Sequence, residues 1–129
     1  MKKPKIENVR KKRSKSTLRR LLDTEWSRVI RLRERCARCS TDKNLQAAHI
    51  FSRRNLATRW DLDNGLPLCY ACHFYWAHKE PVYFMDLVKE YLGEVKLMFL
   101  RQKASSVKKW TVEEMEDCLK ALKSITEKI

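Results

Sequence analysis

The sequence predicts an α+β fold that is mainly helical, with a small irregular centre held between two pairs of cysteines. Three observations support this. Apolar residues recur at helical spacing in the first and last parts of the 129-residue chain. Only two glycines and three prolines occur, which disfavours Gly-rich nucleotide-binding folds and β-sandwiches. Four of the five cysteines form two Cys-x2-Cys pairs in the central part. The length suits one domain, and a hydrophobic content of 43% is enough for a core.

Positive charge is concentrated at the N-terminal end of the chain. The formal net charge is +13, and residues 1–35 carry 14 basic side chains against 4 acidic ones. A field that strong and that local attracts a polyanion, so we expect a nucleic acid as the partner. A solubilising or localising tail and an anionic membrane surface are the alternatives. Residues 1–16, rich in Lys and Arg, are interpreted as a basic flexible arm.

The predicted domain covers residues 17–129 and begins with an amphipathic basic helix. Ser16 or Thr17 can cap this helix, and apolar positions keep helical spacing to about Arg35. The predicted metal-binding core follows as residues 36–80. Three elements are expected within it: short strands at about 46–51 and 66–68, and a helix from about Tyr70.

The C-terminal part, residues 81–129, is predicted to be helical. Pro81 suits the first position of a helix that ends at Gly93, and a further helix is expected over about 94–104. The last helix begins at Thr111, where Thr-Val-Glu-Glu forms a capping box. Its apolar stripe is interpreted as core or as a surface for a partner helix.

Nothing in the sequence predicts a membrane-spanning or secretory segment. No run of 18 apolar residues occurs, and the basic N-terminus has no apolar stretch behind it. We therefore expect a cytoplasmic protein whose thiols stay reduced.

Two cysteine pairs are interpreted as zinc knuckles. They are Cys36-Ala-Arg-Cys39 and Cys69-Tyr-Ala-Cys72. A Cys-x2-Cys spacing lets two thiolates face one ion at about 2.3 Å, and two such pairs complete a tetrahedron. Because protein would fill all four positions, the predicted Zn²⁺ is structural. Four buried thiols or redox pairs are the alternative, and Cys118 in the last helix is interpreted as a core residue.

Three polar residues lie between or beside the knuckles. His49 is on a predicted strand, Asn64 is in the turn sequence Asp-Leu-Asp-Asn-Gly, and His73 directly follows Cys72. Phosphodiester hydrolysis needs a base that titrates near neutral pH and a divalent metal that stabilises negative charge. We assign His49 as general base, His73 as ligand of a catalytic Mg²⁺ or Mn²⁺, and Asn64 as positioner or ligand. Singly, such residues are commonly a hydrogen-bonded core histidine or a turn asparagine.

The combination resembles the HNH, or ββα-metal, endonucleases, which are built on a treble-clef zinc knuckle. The matching residues are Cys36-x2-Cys39, His49, Asn64 and Cys69-x2-Cys72-His73. A closer likeness is to the lambdoid phage NinG/Rap recombination nucleases. It lies in the Thr-Arg-Trp-x3-Asn stretch at 58–64 and the Trp-Thr-Val-Glu-Glu stretch at 110–114, and it covers roughly residues 20–125.

The resemblance implies a metal-dependent DNA endonuclease that cuts branched DNA, such as Holliday junctions or D-loops, in phage recombination. It implies a phage-infected or prophage-bearing bacterial host, and phage recombination or packaging proteins as partners. A homodimer would suit symmetric cutting of a junction. Two positions depart from the pattern. Ala48 stands where many HNH enzymes have an Asp or His ligand, and His73 stands where NinG-like chains often carry Asn. His78 and Asp63 are therefore reserve ligands.

Arginines near the proposed site are expected to hold DNA. Arg53 and Arg54 follow the His49 strand and Arg59 precedes Asn64, so all three could reach phosphates beside the scissile bond. Of the consecutive aromatics at 74–76, at least two are expected to pack in the core, with base stacking as the alternative.

Three other functions compete with the recombination nuclease. The first is a nicking or packaging-associated endonuclease on duplex DNA. The second is a non-catalytic zinc module that only binds nucleic acid. The third is an interaction protein whose C-terminal helices dock onto another protein.

Overall fold

The computed structural model describes residues 12–128, so most of the predicted basic arm, residues 1–11, lies outside the described residues. The fold is α+β and mainly helical, as predicted. Its elements in chain order are α1 (Lys15–Arg31), β1 (Leu45–His49), a 3₁₀ turn (Leu62–Asn64), β2 (Gly65–Cys69), a π-helical segment (Ala71–Ala77), α2 (Pro81–Leu92), α3 (Glu94–Ala104) and α4 (Val112–Thr126). None of the helices among these residues has the length and apolar content needed to cross a membrane.

The first helix begins and ends earlier than predicted. Ser14, not Ser16 or Thr17, is the N-cap, and its Oγ accepts a hydrogen bond from the Thr17 N–H at 3.2 Å. The helix ends at Arg31, and the next residues turn back toward the 3₁₀ turn and the start of β2. Arg33 donates to the carbonyl oxygens of Leu62 and Gly65, each at 2.8 Å.

Helices α1 and α4 pair to form one of two hydrophobic clusters. We call it the first cluster, and its buried members are Leu18, Leu22, Trp26, Val29, Ile30, Trp60, Met115, Leu119 and Leu122. Helix α4 carries the predicted capping box at Thr111, and its apolar stripe is core packed against α1. The stripe ends at Leu122, since Ile125 is exposed.

The second cluster surrounds the hairpin and the cysteines. Strands β1 and β2 are antiparallel, with Leu45 opposite Cys69 and His49 opposite Gly65. Buried residues of this cluster are Cys36, Ala48, Leu66, Leu68, Cys69, Cys72, Ala77, Val88 and Leu97. The hairpin therefore places a cysteine at one end and His49 at the other.

The segment after β2 differs from the expected ordinary helix. It is π-helical over Ala71–Ala77, and only Cys72 and Ala77 are buried in it. Phe74 and Tyr75 are exposed, while Trp76 is half-buried against the second cluster. The prediction that at least two of these three aromatics pack in the core was wrong, because a wide turn anchored by two small buried residues leaves its large rings outside.

Gly65 is required by a close approach of α1 to the hairpin. A Cβ at this position would lie 2.5 Å from Trp26 Cζ2 and 2.9 Å from Ile30 Cδ1. We expect Gly65→Ala to lower the free energy of unfolding by about 1–3 kcal/mol, the usual cost of overpacking. Chemical denaturation measures this cost. Trp26→Phe removes the crowded ring atom, so a double-mutant cycle should show part of the cost relieved. An identical cost in both backgrounds would contradict the steric explanation.

Candidate metal centre and histidine cleft

The four knuckle cysteines come together as predicted. The Sγ atoms of Cys36, Cys39, Cys69 and Cys72 all lie within 4.8 Å of one another. Cys39 Sγ and Cys69 Sγ are 3.7 Å apart. A tetrahedral ion with bonds of about 2.3 Å holds its sulfur ligands about 3.8 Å apart. All four thiols are free, so the cluster could hold a metal ion such as zinc.

Backbone hydrogen bonds shape the two knuckles. In the first, the Ser40 N–H donates to the Cys36 carbonyl at 2.9 Å, and Ser40 has a left-handed φ of 65°. The Ala37 N–H donates to the Pro67 carbonyl at 2.8 Å, which docks this knuckle on β2. In the second knuckle, Cys69 is the last residue of β2 and Cys72 lies in the π-helical segment. The cluster thus ties the start of the core to the end of the hairpin.

The surroundings shift the pKa values of Cys36 and Cys72 in opposite directions. Burial raises the pKa of Cys36, but backbone N–H groups of Cys39, Cys69 and Arg38 donate to its sulfur and bring the pKa down to about 7. Burial raises the pKa of Cys72 to about 12, although Arg38 donates to its Sγ at 3.7 Å. Arg38 also lies 4.2 Å above the Trp76 ring. This guanidinium would offset part of the negative charge of four thiolates around a divalent ion.

A cleft of about 470 Å³ lies beside the cysteines and contains every histidine of the chain. Its lining residues are Asp23, Trp26, Ser27, Ala47, His49, Arg53, His73, Phe74 and His78. We call it the histidine cleft. Two of the three predicted site residues, His49 and His73, therefore share one cavity, and so does the reserve ligand His78.

His49 is held at the end of β1 by stacking and by one hydrogen bond. Its ring stacks on Trp26 with centroids 4.0 Å apart and planes 12° apart. Its Nε2 lies 3.2 Å from the Arg59 carbonyl oxygen. Because a carbonyl only accepts, Nε2 carries the hydrogen and Nδ1 keeps its lone pair. Burial lowers the pKa of His49 below its ordinary value, so the ring is neutral at pH 7 and able to take a proton.

Asn64 is fully buried and does not line the cleft. Its Oδ1 accepts a hydrogen bond from the Phe51 N–H at 2.8 Å, and its Nδ2 donates to the Phe51 carbonyl at 3.1 Å. The Ile50 N–H donates to the Asn64 carbonyl at 2.9 Å. Both ends of the amide thus fix the chain that leaves His49. Of the two roles considered for Asn64, this geometry is that of a positioner.

One ring nitrogen of His73 is hydrogen-bonded to the protein, and the other keeps its lone pair. Its Nδ1 lies 2.8 Å from Gln46 Oε1, an acceptor, so Nδ1 donates and Nε2 keeps a lone pair. The His78 ring lies 5.1 Å from the His73 ring. Burial, aided by His78 and His49, lowers the pKa of His73. Asp63, the other reserve ligand, lies outside the cleft and faces Lys96 at 4.0 Å.

The three arginines predicted to bind phosphate occupy different environments. Arg53 lines the cleft with an exposed side chain, and Arg54 is exposed on the neighbouring turn. The Arg59 side chain is mostly buried and makes two hydrogen bonds to Asp23, at 3.0 and 2.7 Å. Arg53 is therefore the one of the three placed at the cleft, and Arg59 is committed to an internal ion pair.

Asp23, which no sequence pattern singled out, is the centre of a network of hydrogen bonds at the cleft. Besides the Arg59 bonds, its carboxylate accepts hydrogen bonds from Trp60 Nε1 at 2.8 Å and Arg53 at 3.1 Å. Burial raises the pKa of Asp23, but the bonds from Arg59 and Trp60 outweigh it and leave the pKa below its ordinary value. The Asp23 carboxylate thus anchors the guanidinium of Arg59, the residue whose carbonyl oxygen accepts the hydrogen bond from His49. No sequence pattern distinguishes Asp23 from Glu25, the other acid of the basic first helix.

We expect Asp23→Asn to cost about 1–3 kcal/mol of unfolding free energy, because a mostly buried guanidinium loses its charged acceptor. Urea unfolding of both proteins at pH 7 measures this cost. Arg53→Ala removes an exposed partner of the same carboxylate and should cost about 0.5 kcal/mol or less. Equal costs for the two variants would refute the assignment.

The two centres are adjacent because Cys72 and His73 are neighbours in the chain. The cysteine cluster fixes the π-helical segment, which contains His73 and is capped by His78, and both histidines line the cleft.

In comparisons with known proteins, no family model, no curated protein and no solved structure matches the chain.

Proposed function

We propose that the chain is a metal-dependent DNA endonuclease of the HNH type, built on a structural Zn²⁺ held by the four cysteines. The observation that carries the proposal is the pairing of His49 and His73 in one cleft. The hydrogen bond of His49 leaves its Nδ1 free to accept a proton, and the hydrogen bond of His73 leaves its Nε2 free to bind a metal. Phosphodiester hydrolysis requires one group of each kind.

In the proposed reaction, His49 Nδ1 accepts a proton from the attacking water. The Arg59 carbonyl holds the tautomer, and the Trp26 ring holds the plane of the imidazole. The imidazolium that forms lies in the same cleft as the Asp23 carboxylate, which favours the charged form against the opposing charges of Arg53 and Arg59. Arg53 at the cleft wall would bind a phosphate oxygen beside the scissile bond.

The cleft offers nitrogen ligands for a catalytic divalent metal. His73 and His78 would hold it, with water and phosphate oxygens completing its coordination. When bound, such an ion stabilises negative charge on the phosphate and on the leaving oxygen. Asp23 lies in the cleft, but its carboxylate is engaged by Arg59, Arg53 and Trp60. Because Mg²⁺ is bound almost entirely by oxygen ligands, whereas Mn²⁺ as a first-row transition metal also accepts nitrogen, we expect higher activity with Mn²⁺ at equal concentration.

The proposed substrate is branched DNA in phage recombination, on the resemblance to the NinG/Rap nucleases. Nicking or packaging-associated cutting of duplex DNA is the alternative within the same chemistry. Net positive charge and an exposed arginine at the cleft support a DNA substrate.

The proposal is tested by incubating the zinc-loaded protein with a synthetic four-way junction, a linear duplex and a supercoiled plasmid, in Mg²⁺ or Mn²⁺. We expect the junction to be cut fastest. Faster cutting of plasmid or linear duplex would favour the nicking or packaging function. Binding of all three DNAs without cutting in either metal would leave a zinc module that only binds nucleic acid.

The pH dependence of cleavage should follow His49. Protonation of the ring removes the base, so the rate falls on the acid side of its pKa. Since burial lowers that pKa from 6.5, we expect the acid limb to have its midpoint below pH 6.5. Single-turnover rates from pH 5 to 8 at saturating metal measure it, with DNA binding followed in parallel. A midpoint above pH 7 would rule out a buried neutral imidazole as the base.

A further inference from the structure

We propose that Tyr70, Phe74 and Tyr75 form a stacking surface for an unpaired nucleobase at the rim of the histidine cleft. We call these three side chains the aromatic ledge. The inference rests on the proposed function, because it names the feature of the DNA that the cleft would select.

The ledge consists of large rings that the fold leaves in water. Tyr70, Phe74 and Tyr75 are 47%, 45% and 60% exposed. The Tyr70 ring lies 4.8 Å from Phe74 and 5.8 Å from Tyr75, so the rings form one continuous surface. Scattered exposed apolar residues are ordinary, but a contiguous aromatic group marks a binding surface.

The ledge is continuous with the proposed catalytic site. Phe74 itself lines the histidine cleft. Its ring lies 5.2 Å from the His73 ring and stacks on His78 with centroids 5.8 Å apart and planes 16° apart. A strand whose phosphate enters the cleft would therefore bring a neighbouring base to Phe74.

The surrounding charges favour a nucleic acid over a protein partner. Lys79 Nζ lies 5.5 Å from the centroid of the Tyr75 ring. Arg53 lines the same cleft as Phe74, and its side chain is exposed. A cationic border around aromatic faces is the arrangement used to bind single-stranded nucleic acid.

The base that binds must be unpaired or unstacked. In an intact duplex the faces of each base are covered by its neighbours, so a protein ring cannot stack on them. At a branch, flap or gap a face is free. The ledge would therefore select branched DNA because such DNA exposes the face of a base. It would not read the base sequence.

Equilibrium binding without added divalent metal tests the ledge separately from catalysis. The probes are a junction with one unpaired 2-aminopurine at the branch and a fully paired duplex of equal length. We expect wild type to quench the 2-aminopurine fluorescence. Phe74→Ala with Tyr75→Ala should abolish the quenching and weaken junction binding about 5- to 150-fold per stacked base, with duplex affinity nearly unchanged.

Two further variants make the test decisive. Phe74→Trp keeps an aromatic face and should retain the quenching. Tyr83→Ala removes an aromatic side chain that is 62% exposed on α2 and lies outside the cleft, and it should change neither affinity. Equal loss on both DNAs, or no loss on either, would overturn the ledge. Selective loss in a protein that never cuts DNA would uphold the ledge and refute the nuclease.

Discussion

Replacing His49 with alanine should lower the single-turnover cleavage rate by about 10²- to 10⁴-fold, the usual contribution of a general base. DNA affinity should stay close to that of wild type, because His49 is half-buried and contributes no charge at pH 7. His49→Gln is the sharper variant. Its side-chain amide can still donate to the Arg59 carbonyl, yet it offers no basic nitrogen. We therefore expect it to fold like wild type and to be as inactive as the alanine variant.

A metal titration separates the base from the ligands. If His73 and His78 hold the catalytic ion, their alanine variants should need more Mn²⁺ and recover part of their rate at high concentration. The His49 variants should not recover at any concentration, because the missing group is not a ligand. Recovery of His49→Ala by metal, or full activity of His49→Gln, would show that the base has been assigned to the wrong ring. Circular dichroism and metal content control for folding.

Replacing Cys36 with serine should abolish the structural metal and unfold the second cluster. Structural zinc binding contributes about 10–16 kcal/mol in small domains at neutral pH, whereas whole domains are stable by about 5–15 kcal/mol. Loss of one ligand is therefore enough to remove most of the stability. Mass spectrometry of metals should find about one zinc per chain in wild type and almost none in the variant.

The fifth cysteine supplies the matched control. Cys118 is half-buried in α4 and lies outside the cluster of four. Cys118→Ser should keep the zinc stoichiometry and most of the thermal stability. Hydrogen exchange should show protection lost first in β1 and β2 of the Cys36 variant, since both strands pack in the second cluster. A Cys36→Ser protein that kept both its metal and its melting temperature would refute a four-cysteine site.

Elements with local signals were predicted well. Pro81, Gly93 and Thr111 fix helix ends through their own backbone or hydroxyl chemistry, and α2 to α4 begin or end there. The start of α1 was misplaced because three hydroxyl residues within four positions could each cap it, and tertiary packing decides which one does. Periodicity also could not reveal a π-helix, since the expected spacing was that of an α-helix.

Contacts between distant parts of the chain account for what was missed at the site. The cluster of four cysteines was found because the spacing within each pair restricts it. The Asp23–Arg59 pair joins residues 36 positions apart, and the Gln46–His73 bond joins residues 27 apart. No sequence pattern singles out Asp23 or Gln46, because Asp and Gln are ordinary surface residues until a fold buries them. The HNH assignment and its catalytic metal remain predictions.

The α1–α4 pairing makes the C-terminal helix part of the scaffold that supports His49. Trp26 stacks on His49 and belongs to the first cluster, together with Met115, Leu119 and Leu122 of α4. Deleting 105–129 would therefore damage the cleft as well as any docking surface, and such a truncation cannot separate cleavage from partner binding.

The same pairing bears on how the protein is made. Helix α1 leaves the ribosome early and can pack on the hairpin, but the part of its apolar face that contacts α4 stays uncovered until α4 has followed it, more than 80 residues later. We expect His49 to reach its final position only at that late stage of translation. A nascent chain would then carry the proposed catalytic residues before the fold holds them together.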